Sequence, residues 1–268
     1  MNSVIVKNVD LHSHILPGVD DGAHDLQETL DMLRVAESDG TSLIVATPHA
    51  RALSPRMIYD AVTRVNDSAR DAGLAITVAP GSEVRLSAAT LAAYRSNELV
   101  CINHTPYVLI ELPFQGPWTA DVFRAIHDLQ LAGAWPILAH AERYQAVQRD
   151  PRILLELVAL DVLLQVNAGS LLGEDGTGPR RVAESLARSG ILHIIASDAH
   201  GTTVRGPRLA GAFVRLADLA GGEHAAFVRN AARSVVAGAQ ISIPSPRQLK
   251  HLDRTRFPRG LWDSRRGG

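Results

Sequence analysis

The chain has 268 residues, with 27 basic and 28 acidic side chains. Its formal net charge of −1 supplies no overall field to draw it to nucleic acid or an anionic membrane. Apolar residues make up 46%, enough for one core of α/β-barrel size, and aromatics at 4% leave little surface for stacking on bases. Cys101 is the only cysteine, MNSVIVKNVD is no charged-then-apolar leader, and no window approaches the ~18 apolar residues of a membrane span, which together predict a cytoplasmic protein with neither a disulfide nor an integral membrane segment.

In chain order, VDLHSH (residues 9–14) reads as a strand and ILPGVDDGAHD as a loop. LQETLDMLRVAESDG then places Leu26, Leu30, Leu33 and Ala36 on one face and stops at Gly40, the pattern of an amphipathic helix. LIVATPH is a second strand, and a helix from Pro55 to Ala72 follows, closed by Gly73. The alternation continues through ITVAPGSE, a polar Ala-rich helix, YVLIELP, the helix TADVFRAIHDLQLAG, WPILAH, the helix PRILLELVAL, LLQVNAG, the helix PRRVAESLARSG and LHIIASD. About seven strand and helix units result, with a helical region from Pro207 to Gly238 behind them.

This alternation predicts an α/β single domain around a mostly parallel sheet with right-handed crossovers. Seven units suffice to curl into a barrel, although periodicity leaves an open doubly wound sheet as the alternative. The boundaries fall at a leader (1–9), a domain (10–243) and a basic tail (244–268) that begins in IPSPR. The tail reads as a solvated end, with docking to a membrane or an acidic partner as its other reading.

Six of the apolar runs end in His, Asp or Glu: His12 and His14, His49, Glu83, Glu111, His140, and Asp198 with His200. A single histidine after a strand is usually a satisfied core or surface group. Six together differ, because parallel strands joined by helices bring their carboxyl ends to one rim. H-x-H on a strand turns both rings to one face, and the D-x-H of Asp198 and His200 repeats the device at the far end of the fold. Carboxylates ending apolar strands need partners or metal. Asp20 and Asp21 precede a glycine, where turn chemistry explains one of them; Asp21 is then the candidate to reach back as an oxygen ligand.

DLHSHILPGVDDGA, IVATPH, PGSEVR, LIELP, AHAERY and ASDAH together resemble the polymerase and histidinol phosphatase superfamily of metal-dependent phosphoesterases. Within it the chain is most similar, over about residues 9 to 245, to the manganese-dependent bacterial protein-tyrosine phosphatases of capsule and exopolysaccharide operons. The resemblance implies a distorted (β/α)7 barrel and up to three manganese ions, with iron or zinc as alternatives for such a mixed donor set. It assigns His12, His14, Glu83 and Asp198 to one ion, Glu83, Glu111 and His140 to a second, and Asp21, His49 and His200 to a third. It also implies Arg143 and Arg205 as the phosphate-binding pair, a role that suits the guanidinium fork. Ala141 stands where the family usually has proline, a difference of backbone stiffness only.

The expected reaction is attack of a metal-activated hydroxide on phosphotyrosine in a protein, with a bacterial tyrosine kinase of polysaccharide export as the implied partner. A metal cluster neutralises the phosphoryl oxygens and lowers a water pKa toward ~7, and a phenolate of pKa about 10 leaves with little help from an acid. No general acid is assigned, with His49 and His200 both conceivable. A small-metabolite phosphatase acting on a compound such as histidinol phosphate would use the same residues; a nuclease fits poorly with the charge and the scarce aromatics, and a metal-stabilised regulatory module is the non-enzymatic alternative. Tyr107 stands six positions after Cys101, where a cysteine-based phosphatase needs an arginine, which argues against a cysteine mechanism. His24, His104, His127, His193, His224 and His251 read as surface or supporting groups. GEDGTG (173–178) lacks the Lys-Ser/Thr ending of a P-loop and reads as a flexible turn.

Overall fold

The computed structural model describes residues 7–50 and 53–243, so the basic tail and most of the leader lie outside the described residues. Within them the apolar runs form β1 (Asn8–Ser13), β2 (Thr41–Ala46), β3 (Thr77–Pro80), β4 (Glu83–Arg85), β5 (Tyr107–Glu111), β6 (Trp135–Leu138), β7 (Leu163–Asn167) and β8 (Ile194–Ala196). All the pairings are parallel, in one sheet ordered β1-β2-β3 and another ordered β4-β5-β6-β7-β8. β1 starts at Asn8, inside the segment read as a leader.

The run ITVAPGSE makes two strands, not one. Proline ends the β3 ladder, and Gly81 passes so close to β2 that a Cβ there would meet Val45 Cγ1 at 2.8 Å. The chain therefore steps sideways before β4, and a bridge between His49 and Glu83 spans the seam. At the other seam, Ser13 bridges Ala199, the Asp198 amide donates to His12 O at 2.8 Å and the His14 amide to Ala199 O at 2.8 Å. The strands follow one another around a ring, hydrogen-bonded as two sheets instead of one closed ladder.

The crossovers are α1 (Leu26–Ser38), α2 (Pro55–Asp71), α3 (Ala88–Arg95), α4 (Ala120–Leu131), α5 (Gln145–Arg149), α6 (Leu154–Val158), α7 (Ala168–Leu172), α8 (Thr177–Arg188), α9 (Ala210–Ala220) and α10 (Gly222–Val236). Asp25 caps α1 and Ser54 caps α2, each accepting from the amide three residues on. The buried stripe of α1 is Thr29, Met32, Leu33 and Ala36, while Leu26 is 41% exposed. Thr29 takes the core position because its hydroxyl donates to Ile15 O at 2.8 Å. PRILLELVAL is a 3-10 turn followed by α6, the last residues of GEDGTG open α8, and the region from 207 to 238 is broken at Gly221, where φ is +86°.

Alternate strand residues serve two cores. Val108, Ile110, Leu138, Leu164, Val166 and Ile195 face the helix layer, whereas Leu11, Val45, Leu109, Ile137, Leu163 and Ile194 pack inside the ring with Ala231, Ala232 and Val235 of α10. The end of α10 covers the amino ends of the strands: Asn103 Nδ2 donates to Val236 O, and the Tyr107 hydroxyl donates to Ala239 O just beyond the helix. The carboxyl ends are left for the polar residues. No helix among the described residues is long and apolar enough to cross a membrane.

His193 corrects the surface or supporting-group reading. It is fully buried, its Nδ1 accepts from the Leu164 amide at 2.9 Å, and burial depresses its pKa to about 3, so a neutral ring replaces a ladder bond before β8.

Candidate metal centre

Each polar strand end reaches the same place. His12 lies on β1 and His14 just beyond it, Glu83 opens β4 and Glu111 closes β5, and His49, His140, Asp198 and His200 follow β2, β6 and β8. Asp21 arrives from the β1–α1 loop. Four overlapping sets bring their donor atoms within 4.8 Å of one another: His12, His14 and Glu83; His14, Asp21 and His49; His14, Asp198 and His200; Glu83, Glu111 and His140. All nine candidate ligands read from the sequence fall in these sets.

The distances are those of ligands around ions rather than of hydrogen bonds alone. His12 Nε2 lies 3.3 Å from Asp198 Oδ1 and 3.6 Å from Glu83 Oε2, and His14 Nε2 lies 3.6 Å from both carboxylates. Asp21 Oδ1 stands 3.6 Å from His49 Nε2 and 3.5 Å from His200 Nε2, and His140 Nε2 is 2.8 Å from Glu83 Oε1. Donors held at about 2.0–2.2 Å from a transition metal are separated from each other by about 3 Å, so the donor set fits divalent cations.

Supporting groups fix the rings. Gln165 Oε1 meets His12 Nδ1 at 3.1 Å and Asp20 Oδ2 meets His14 Nδ1 at 2.6 Å, turning each Nε2 toward the cluster. His200 Nδ1 is held 2.8 Å from the Asp198 carbonyl. Gln165 also accepts from the His140 amide and donates to Asn167, whose amide nitrogen donates to Asp198 Oδ2 at 2.8 Å. Gln165 and Asn167 were missed in the sequence, although LLQVNAG also ends an apolar run in polar residues; neutral amides carried no metal signal. Asp20 is more than a turn residue, because the carboxylate that accepts from the Gly22 amide also orients His14.

Electrostatics ask for cations. Burial pushes the His12 pKa down, but the Asp198 and Glu83 carboxylates overcome it and raise it to about 9. Burial disfavours the Glu83 and Asp198 carboxylates, yet the surrounding histidines hold both well below the usual range. Burial pushes the Cys101 thiol up to about 11, which removes it as a nucleophile.

Arg143 Nη1 and Arg205 Nη2 both approach Asp198 Oδ2, at 3.2 and 2.6 Å. Glu142, next to Arg143 in the chain, turns away from it: it is fully buried and accepts from Ser170 Oγ at 2.6 Å and the Asn167 amide at 3.1 Å. His140, Asp198 and Arg205 have φ of +34°, +52° and +51°, left-handed backbone that non-glycine residues adopt at a cost and that gathers at functional sites.

Residues 8–235 match the family model for capsular polysaccharide synthesis, CpsB/CapC. The tyrosine-protein phosphatase YwqE of Bacillus subtilis is 33% identical over 202 residues, covering 74% of this chain and 79% of its own. The tyrosine-protein phosphatase CpsB of Streptococcus agalactiae is 27% identical over 234 residues, covering 83% and 96%. A solved chain from the crystal structures of YwqE from Bacillus subtilis and CpsB from Streptococcus pneumoniae, described as unique metal-dependent tyrosine phosphatases, matches with TM-score 0.85 and 30% identity, covering 89% of this chain and 98% of its own.

Proposed function

The chain belongs to the CpsB/CapC family, and from that membership we propose that it is a metal-dependent protein-tyrosine phosphatase acting on a bacterial tyrosine kinase that regulates capsule or exopolysaccharide synthesis in the cytoplasm. The observation that carries the reading is the convergence of five histidines and four carboxylates beside two arginines at one strand-end rim.

In this reading His12, His14, Glu83 and Asp198 hold one ion, Glu83, Glu111 and His140 a second, and Asp21, His49 and His200 a third, with manganese as the metal and iron or zinc as competitors. Bound divalent cations supply charge neutralisation at the phosphoryl oxygens and a water of lowered pKa. In this reading Arg143 and Arg205, which converge on one Asp198 oxygen, turn their forks to a phosphate dianion. Gln165 and Asp20 keep the His12 and His14 rings facing inward. The phenolate leaving group has a pKa of about 10, so the chain need not supply a strong acid.

The test is hydrolysis of a phosphotyrosyl peptide and of histidinol phosphate, with elemental analysis, before and after chelation. Activity abolished by chelator, restored by manganese, indifferent to thiol alkylation and directed to the peptide is expected. A strong preference for histidinol phosphate, or full activity in metal-free protein, overturns the reading.

A further inference from the structure

The loop from β5 to α4 carries Phe114, which the metal and phosphate chemistry leaves without a role. Its ring stacks on His140 (centroids 5.2 Å apart, planes at 25°) and on Tyr144 (5.1 Å, 25°), and the Arg143 guanidinium carbon lies 5.8 Å from its centroid. Trp118 meets Tyr144 edge-on at 5.2 Å and donates its indole N–H to Pro113 O, while the Gln145 amide donates to Phe114 O at 3.1 Å. The ring is therefore held in place from the core outward.

Phe114 is nevertheless only partly buried, whereas Tyr144 and Trp118 are buried. Among the described residues it is the aromatic side chain, histidines aside, that both touches the cluster and stays accessible. In a phosphotyrosine the ring begins one oxygen away from phosphorus, so a phosphate gripped by Arg143 brings an aryl group to the neighbourhood of Phe114. An alkyl chain there gains only apolar contact, whereas a ring also gains offset or edge-to-face stacking.

We propose that Phe114 is the specificity-determining residue that favours aryl over alkyl phosphate esters, by presenting its accessible part to the ring of the bound ester. The inference rests on the phosphatase reading above. It goes beyond that reading by assigning the choice of ester to one side chain that neither holds metal nor binds phosphate.

Calorimetric titration of the manganese-loaded protein with phenylphosphonate and with methylphosphonate separates ring recognition from turnover, and hydrolysis of a phosphotyrosyl peptide is measured alongside. The parent chain should bind phenylphosphonate more tightly. Phe114→Leu, which keeps an apolar contact to Tyr144, should shrink that preference by about fivefold while methylphosphonate binding holds, and Phe114→Trp should restore it. Equal weakening of both phosphonates by Phe114→Leu, or no preference in the parent chain, overturns the proposal and leaves Phe114 as a prop for His140 and Arg143. A parent chain that hydrolyses no phosphotyrosyl peptide sinks the phosphatase reading and this inference with it; intact hydrolysis with parallel phosphonate losses sinks this inference alone.

Discussion

Asp20 Oδ2 lies 2.6 Å from His14 Nδ1 and accepts from the His49 amide at 3.0 Å, so one carboxylate sets the ring of one candidate ligand and the backbone of another. His14 belongs to three of the four donor sets, which magnifies any error in its orientation. Asp20→Asn keeps the size but removes the charge that fixes the tautomer, and it should weaken metal affinity by about 10–100-fold. Metal titration of chelator-stripped protein checks this, and unchanged affinity would reduce Asp20 to a turn residue. Gly22 makes a sharper test of the same loop. A Cβ there would stand 1.8 Å from His14 O and 2.5 Å from His14 Cβ, contacts that only a displaced loop relieves. Gly22→Ala should therefore purify with less bound metal than the parent chain by elemental analysis, with its secondary structure by circular dichroism preserved.

At the scale of elements, α8 and α9 share an apolar core, and one carboxylate adds a charged link between them. Glu184 receives Arg180 and Arg188, one turn either side on α8, at 3.0 Å each, and Arg215 of α9 at 2.7 Å. Burial would raise the Glu184 pKa, but the three guanidinium groups hold it at about 2 against an ordinary 4.5. A carboxyl depressed in the folded state stabilises it above the unfolded value, and the contribution drains away as pH falls from about 4.5 to about 2. Glu184→Gln should thus lower the thermal midpoint at pH 7 by about 2–4 °C, with the gap to the parent chain closing as pH falls through that window. A gap independent of pH would mean that packing, not charge, joins the helices. The helix itself was legible because apolar spacing and the closing Gly190 mark it in the sequence, but Arg215 lies 31 residues from Glu184 and nothing local announces their meeting. The same limit hid Gln165 and Asn167, whose neutral amides matter only once β7 sits between β6 and β8. The division of ITVAPGSE into β3 and β4 was equally silent, since it depends on how closely Gly81 passes Val45.

Across the whole molecule, the site is where the ring would otherwise be weakest. The two sheets meet at isolated bridges, His49 with Glu83 and Ser13 with Ala199, and each seam is flanked by candidate ligands from both sides. That the strand ends converge was readable from the order of apolar runs and their polar last residues, because parallel topology leaves them one rim. That the ladder breaks beside them was not, because seam positions are set by register. A cation bound between His12 and Glu83, or between His14 and Asp198, ties one sheet to the other in the folded state and finds no such arrangement in the unfolded chain. Binding to the folded state alone stabilises it by about 2.7 kcal/mol when free metal is a hundredfold above Kd. Chelation should then lower the thermal midpoint by several degrees, and Arg143→Ala, which breaks no proposed ligand, should show the same metal-dependent rise as the parent chain while losing turnover. Calorimetric melts with and without manganese decide the matter: a midpoint indifferent to chelator would mean that the seams close without ions, and that the cluster serves chemistry alone.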